Sequence, residues 1–322
     1  MRSLSFITSS LLKKTWRHAK RKTEGPSSSI FVLLFDFPLS ASRFPLACLV
    51  CGAILLFALS ISAQRIAVLT PEPLAQTETY ASQLAYTLSG KFKTIDSAMA
   101  HAAFRSVNIE SPFNLTATQA KDISEVIGCD YFLLVRTGTL RRGSFAKEEF
   151  YDSFVTVFLV EGRTGRLVYW DLKSYEADSP LESERLLFVA GQSIAAATIG
   201  QLEIARRNGL PTRSPAKIEE VPEAGSAAAK NFRPPMPYKR IKPEYTRKAY
   251  FYDVRATVDV MVDIDQSGAV TAVEIERWAG FGLDESVIDA VRKMNWRPAE
   301  RNGKALPMRV LLRYNFTKIG KE

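Results

Sequence analysis

The sequence predicts an α+β protein built from two unlike domains: an α/β unit over residues 65–204, and an antiparallel sheet with one covering helix over residues 237–322. A Pro/Ala-rich linker over residues 205–236 joins them, and an apolar N-terminal helix precedes them. Three observations carry this expectation. Residues 256–264 and 308–316 alternate apolar and polar with period two, the mark of half-buried strands, and bracket one run of helical period that opens at Leu283. Short apolar runs alternate with helical patterns upstream of residue 204. Between the two, hydrophobic periodicity disappears while Pro, Gly and Ala accumulate. A length of 322 residues accommodates two ordinary domains, and 46% hydrophobic with 24% charged residues is a globular composition.

The leader, residues 1–44, is basic, with Lys13, Lys14, Arg17, Lys20, Arg21, Lys22 and Arg43. Much of the formal charge of +9 lies here, and the rest of the chain mixes both signs without a basic stripe. The charge therefore sets topology, and no nucleic-acid partner is expected. Residues 45–63 carry no charge and just reach the length of a spanning helix, which needs ~20 apolar residues and at least about 17. With the positive charge ahead of it, the rule of positive loops inside puts the N-terminus in the cytoplasm and the remaining chain outside. The long basic leader favours a retained anchor. The alternative is a signal-peptide core cleaved near Ser62-Ala63, favoured by the strand that starts immediately afterwards. Residues 1–43 also fit an over-extended translation start. Cys48 and Cys51 lie within the apolar run and Cys129 has no mate beyond it, so neither a disulfide framework nor a zinc site is expected.

In the α/β unit, Arg65 to Leu69 reads as a buried strand that stops at Thr70-Pro71. Thr79 to Leu88 reads as a helix, Phe92 to Ile95 as a short strand, and His101 to Ser106 as part of a second helix. Thr118 to Ile127 reads as a helix capped by Thr118 and ended by Gly128. Tyr131 to Val135 is a strongly apolar strand, Phe154–Val160 and Arg166–Leu172 flank a Gly-x-x-Gly hairpin turn, and Leu186 to Leu202 is one long Ala-rich helix. The wording "RIAVL", "FKTID" and "IGCDYFLLVRTG" resembles the N-terminal domain of TolB and the CsgG-like periplasmic group over residues 65–200.

Chemistry-bearing patterns are few. His101 is the single histidine beyond the leader, and a lone helical His is usually structural. No nucleophile elbow occurs, Gly162-x-x-Gly165 sits between strands and so is not a phosphate loop, and Asp96, Asp130 and Asp152 are separated carboxylates. No enzyme, cofactor or metal is expected. A hydrolase or metal-binding reading of this unit is opposed by the missing constellation.

The linker reads as extended and semi-flexible, since Pro favours polyproline II at ~3.1 Å per residue. In the C-terminal unit, Ala256 to Ile264 and Val270 to Ile275 are strands joined by a turn with Gly268 where positive φ is needed. Leu283, Val287, Ala290, Val291 and Met294 make one apolar helix face, with Asp284 and Glu285 in the first turn where the helix dipole favours acids. Pro298 stops the helix from resuming, and Met308 to Phe316 is the last strand. Asp263, Asp265, Ser267, Gly268 and Glu274 nearly match a calcium-loop pattern. The flanks are strands, so the pattern is read as a hairpin with Asp263 and Glu274 facing each other on the surface.

Several motifs of this unit together resemble the TonB family: the lead-in from Pro243 to Ala249, the Asp265–Gly268 hairpin, Gly280 to Asp284 at the helix start, Trp296 to Ala299, and the Gly303 to Pro307 turn. Asp253-Val254-Arg255 departs from it, since members often carry Gly there. The resemblance implies an energy transducer or coupling protein of the inner membrane, single-pass, with its bulk in the periplasm. It implies as partners a peptide segment of an outer-membrane TonB-dependent transporter and the inner-membrane proton-motive complex. The route is β-augmentation on an exposed sheet edge. The expected edge is Met308, Arg309, Val310, Leu311, Leu312, Arg313, Tyr314, Asn315 and Phe316, acting through its backbone, with the side chains of Trp296, Tyr314 and Phe316 in the core. The apolar run lacks the His that energised members carry, and the linker is shorter than theirs. Both departures point to the alternative, a periplasmic scaffold or envelope-assembly protein that uses the same module for binding without energy transduction.

Overall fold

A sheet carries each half of the chain. The computed structural model describes residues 64–208, 218–223 and 225–318, all within the compact unit Ile61–Glu322. The expected leader and spanning helix lie outside the described residues. The first lobe has a five-stranded sheet of order β2-β1-β3-β4-β5, formed by β1 (Arg65–Leu69), β2 (Lys93–Thr94), β3 (Tyr131–Arg142), β4 (Phe150–Glu161) and β5 (Leu167–Ala177). β1 runs parallel to β2 and β3, and β3, β4 and β5 are antiparallel neighbours. Its helices are α1 (Ala75–Ser89), α2 (Ser97–Ser106), α3 (Ala117–Ile127), α4 (Pro180–Val189) and α5 (Gly191–Asn208).

Period-two alternation sends the strands' side chains to two different cores. Ile66, Val68, Leu133, Val135, Val157 and Leu159 pack with Tyr80, Leu84 and Leu88 of α1 and with Leu187, Ile194 and Leu202 of α4 and α5. Ala67, Leu69, Phe132, Leu134, Phe158 and Val160 point the other way, onto Ala100 and Phe104 of α2 and Ala120 and Ile123 of α3. That second core continues without a break into the C-terminal lobe through Trp278, Phe281, Leu283 and Val287.

Local chemistry sets the helix ends. α3 is capped by Thr116 and not by Thr118: the Gln119 amide donates to Thr116 Oγ1 (3.1 Å) and the Thr116 amide donates to Gln119 Oε1 (3.0 Å), a capping box. Gly128 ends the helix with φ of 74°. The single helix expected over Leu186–Leu202 is two helices bent by 41°. Ser179 caps α4 and Ser183 ties it to Ser153 of β4 (2.7 Å), while Ile194, Ala195 and Leu202 of α5 face the α1 core. One straight helix cannot meet both demands. Among the described residues no single helix is long and apolar enough to cross a membrane.

The second lobe has β9 (Ala256–Ile264), β10 (Val270–Arg277) and β14 (Met308–Phe316), with α6 (Arg247–Phe251) before them and α7 (Leu283–Arg292) across one face. β9 is central and antiparallel to both β10 and β14. Val258, Val260, Val262 and Ile264 bury against Leu283, Val287, Val291 and Met294. Gly268 has φ of 87°, and a Cβ there would lie 1.9 Å from the Trp296 carbonyl oxygen, so the turn admits no other residue. Of the segment expected to be a linker, residues 205–208 continue α5, Ala227–Ala229 form a 3-10 turn, and the described remainder carries three two-residue strands. β6 (Glu219–Glu220) pairs with β14, β7 (Phe232–Arg233) with β12 (Ala299–Arg301), and β8 (Met236–Pro237) with β11 (Trp296–Arg297). β12 also pairs with β13 (Lys304–Leu306).

Polar contacts lock the lobes together. Asn114 Nδ2 donates to the carbonyls of Thr257 (2.8 Å) and Trp278 (2.7 Å), and Asn114 Oδ1 accepts from the Thr257 amide (3.0 Å). The Trp278 indole donates to the Gly165 carbonyl (3.3 Å), and Arg166 is ion-paired with Glu274. Phe158 centres the apolar contact, with Phe113 and Trp278 each at 5.7 Å and Phe281 at 6.1 Å between ring centroids.

Candidate docking edge

β14 is held on one side only for most of its length. All nine of its residues, from Met308 to Phe316, are in register with β9. On its other side β6 covers Met308 and Arg309, and among the described residues no strand pairs with Val310 to Phe316. The Val221 amide donates to the Arg309 carbonyl from the outer side (3.3 Å). Backbone groups of alternate residues point the same way in a strand, so Leu311, Arg313 and Asn315 also present their N–H and C=O groups outward.

The side chains divide by parity. Met308, Val310 and Phe316 are buried and Leu312 and Tyr314 half-buried. Phe316 stacks on Tyr245 at 6.2 Å. Trp296 is buried, as expected, yet its indole N–H finds no hydrogen-bond partner among the described residues. On the opposite face Arg309 Nε donates to Asp263 (2.7 Å) and Arg313 Nε to Asp259 (2.6 Å), while Asn315 accepts from Thr257 Oγ1 (2.9 Å). Leu311, 54% exposed, is the apolar residue on this strand left in solvent.

The aspartates of β9 are therefore not surface residues. Asp259 sits between two guanidiniums, Arg313 and Arg277 (3.1 Å), and Asp263 is 1% exposed on its bidentate pair with Arg309. Burial pushes the Asp259 carboxyl up, but the hydrogen bonds from Arg313 and Arg277 outweigh it and hold the group below its usual range. The expected Asp263–Glu274 facing pair is corrected: Asp263 lies opposite Ala272 and Arg309, Glu274 lies opposite Met261, and Glu274 reaches Arg166. Asp265 accepts from the Ser267 and Ala269 amides and the Ser267 hydroxyl, which makes it the turn's own clasp. Each carboxylate that the calcium-like pattern would gather is thus engaged elsewhere.

Beside the outer edge lies a groove of about 580 Å³, lined mainly by apolar residues such as Pro235, Met236, Trp296, Leu312 and Tyr314, with Glu220, Arg240 and Arg313 also on its wall. Its position depends on β8, which no periodicity announced. The Arg–Asp rungs were visible as a pattern: acids at alternate positions of one strand and arginines at alternate positions of another.

His101 has both ring nitrogens engaged in the other lobe. Its Nδ1 lies 2.7 Å from the Ser97 carbonyl, which can only accept, so Nδ1 carries the proton and Nε2 accepts from the Thr70 amide (2.9 Å). That is a structural tie between the turn after β1 and α2. Cys129 is buried, and burial pushes its thiol up to about 11, which leaves it an unreactive core residue.

Residues 241–317 match the family model of the Gram-negative bacterial TonB protein C-terminal. That segment is of the TonB family. Members are protein-interaction domains, not enzymes, and β14 lies wholly inside the matched residues. Among solved structures, the Pseudomonas aeruginosa TonB C-terminal domain shares 22% identity with this chain, covering 30% of it and 96% of that domain, with a TM-score of 0.24. A lipoprotein of Neisseria meningitidis shares 14% identity, covering 44% of this chain and 99% of its own, with a TM-score of 0.30. The C-terminal domain of LpoB from Salmonella enterica shares 17%, covering 38% and 90%, with a TM-score of 0.25. No curated protein sequence matches the chain.

Proposed function

We propose that the TonB-type segment captures an extended peptide of a partner protein as an added strand on the outer edge of β14. The observation that carries this reading is the row of outward backbone groups at Leu311, Arg313 and Asn315, unpaired by any described strand and bordered by an apolar groove. Each of the three positions offers one donor and one acceptor, so main-chain pairing supplies affinity and the groove supplies selection among side chains. The family resemblance makes an outer-membrane transporter segment the first partner to test, with the chain anchored in the inner membrane and its described lobes in the periplasm.

The packing of the lobes favours the second reading, a periplasmic scaffold. A transducer of the expected kind works at the end of a free linker. Here β6, β7 and β8 fasten the linker to the TonB-type lobe, and one core runs through both lobes. The docking edge then travels with the first lobe as one body.

The test is Leu311→Pro in the full chain. Proline removes one outward N–H and, on an edge, spares the inner ladder with β9. Capture of partners from envelope extracts, with transporters as the named targets, is expected to fall at least about tenfold while the melting temperature changes little. Undiminished capture by a folded variant would sink the edge as the site. Capture of another envelope protein without any transporter selects the scaffold reading.

A further inference from the structure

The docking edge already has an occupant from the chain itself. Glu219 and Glu220 lie parallel to β14, opposite Met308 and Arg309, and the Val221 amide donates to the Arg309 carbonyl (3.3 Å). The Glu219 carboxylate meets Arg301 at 2.8 Å. The pairing stops there. Pro222 fixes φ near about −65°, away from the extended value that a continued strand needs. Glu219, Glu220 and Val221 are all exposed, and two paired residues make a weak ladder. The first stretch of the edge is thus covered lightly by an acidic strand, and no described strand covers the rest. Nearby, Trp296 keeps a buried indole N–H that finds no acceptor among the described residues.

We propose that Ile218–Val221 is an internal competitor for the docking edge, an acidic strand parallel to β14 that the partner peptide displaces. The inference rests on the edge reading proposed above and adds a regulatory contact to it. An occupied edge lowers the apparent affinity by the fraction of time it is free. A peptide that displaces the segment must take over its register and its acid opposite Arg301, so the segment also filters partners by charge.

The experiment uses the full chain and a fluorescein-labelled synthetic probe, Thr-Ile-Glu-Glu-Val-Thr-Val, which copies the internal strand and replaces its proline stop. The double variant Glu219→Lys, Val221→Pro weakens the internal strand at exposed positions, removing its ion pair and its amide donor. It is expected to bind the probe about five- to tenfold tighter than the unaltered chain. Pro222→Val, which lets the internal strand zip further, is expected to bind it more weakly and to slow amide exchange at Leu311 and Arg313. A probe with Lys for both Glu is expected to lose binding. Equal affinity of the double variant and the unaltered chain for the acidic probe overturns the competitor and leaves the edge standing. Failure of the probe to bind either chain, with exchange at Leu311 and Arg313 unmoved at saturating probe, overturns the edge reading itself.

Discussion

The two sheets differ in what lies on their second face. In the first lobe β3 and β4 bury both faces, one against α1, α4 and α5 and the other against α2, α3 and the C-terminal lobe. In the TonB-type lobe β9 buries one face under α7 and covers the other with arginine–aspartate rungs to β10 and β14. A sheet filled on both faces is a scaffold. A sheet whose second face is closed by side chains spanning neighbouring strands needs no further layer there, and its last strand is free to end in solvent with an open ladder. The difference explains why the candidate site is an edge and why it lies in the second lobe.

The strongest way to break this comparison is at the residue that joins the sheets. Phe158 comes from β4 and touches Trp278 and Phe281 of the other lobe. Phe158→Ala is expected to cost about 3–5 kcal/mol, the range for emptying a core aromatic. Because one core serves both lobes, urea unfolding should stay a single transition when followed by far-UV circular dichroism and by tryptophan fluorescence, with an earlier midpoint. Two separated transitions would show lobes that fold independently, and the freely linked transducer would regain ground.

The rungs come next. Asp263→Ala leaves the Arg309 guanidinium, 18% exposed at its side chain, without its carboxylate. Breaking a buried pair by removing one partner is expected to cost about 3 kcal/mol. Leu311→Ala on the same sheet is expected to stay within about 0.5 kcal/mol, because its side chain is in solvent. Denaturant midpoints of the two variants separate strand glue from free edge. If Asp263→Ala proves as mild as Leu311→Ala, the polar face is decoration and the account of the open edge fails.

Strands with clean periodicity were legible before any coordinates. Met308–Phe316, Ala256–Ile264 and Arg65–Leu69 have the expected bounds: one apolar face leaves a period-two trace in the first two, and burial of both faces leaves a continuous apolar run in the third. β3 runs on to Arg142, seven residues beyond the apolar stretch that announced it, because its later residues pair with β4 under partial solvent cover. The division of α4 from α5 was hidden because the apolar end of α4, Leu186–Val189, leads directly into the Ala-rich residues of α5, and the bend answers to what each packs against. The same limit applied to the site. The edge strand could be named from alternation, but its groove and its internal occupant come from two-residue strands in a Pro-rich stretch, too short to leave a period. Nor does spacing show that lobes share a core, since the contacts of Asn114 and Phe158 span more than a hundred residues.

The smallest expected effect separates two buried carboxylates by sign. Asp259, held low by its arginines, stabilises the fold above about pH 4 and loses that contribution as acid protonates it. Asp284, at the start of α7, forms no ion pair among the described residues. Its two oxygens accept the Ala279 (2.9 Å) and Gly280 (2.8 Å) amides, and burial pushes it up to about 7 against their pull. The folded protein therefore holds a proton at Asp284 that the unfolded chain releases, starting near pH 4. Its contribution is full below that pH and declines as pH rises toward 7. Asp284→Asn removes this titration while keeping one acceptor, so at pH 7 it is expected to lie within about 1 kcal/mol of the unaltered protein. The signature is the slope: between pH 4 and 7 the variant's urea midpoint should fall less, or rise more, than that of the unaltered chain. Identical slopes would mean that the two amides and the helix start keep Asp284 charged throughout, as at an ordinary helix cap, and the carboxylates of the two faces would then behave alike.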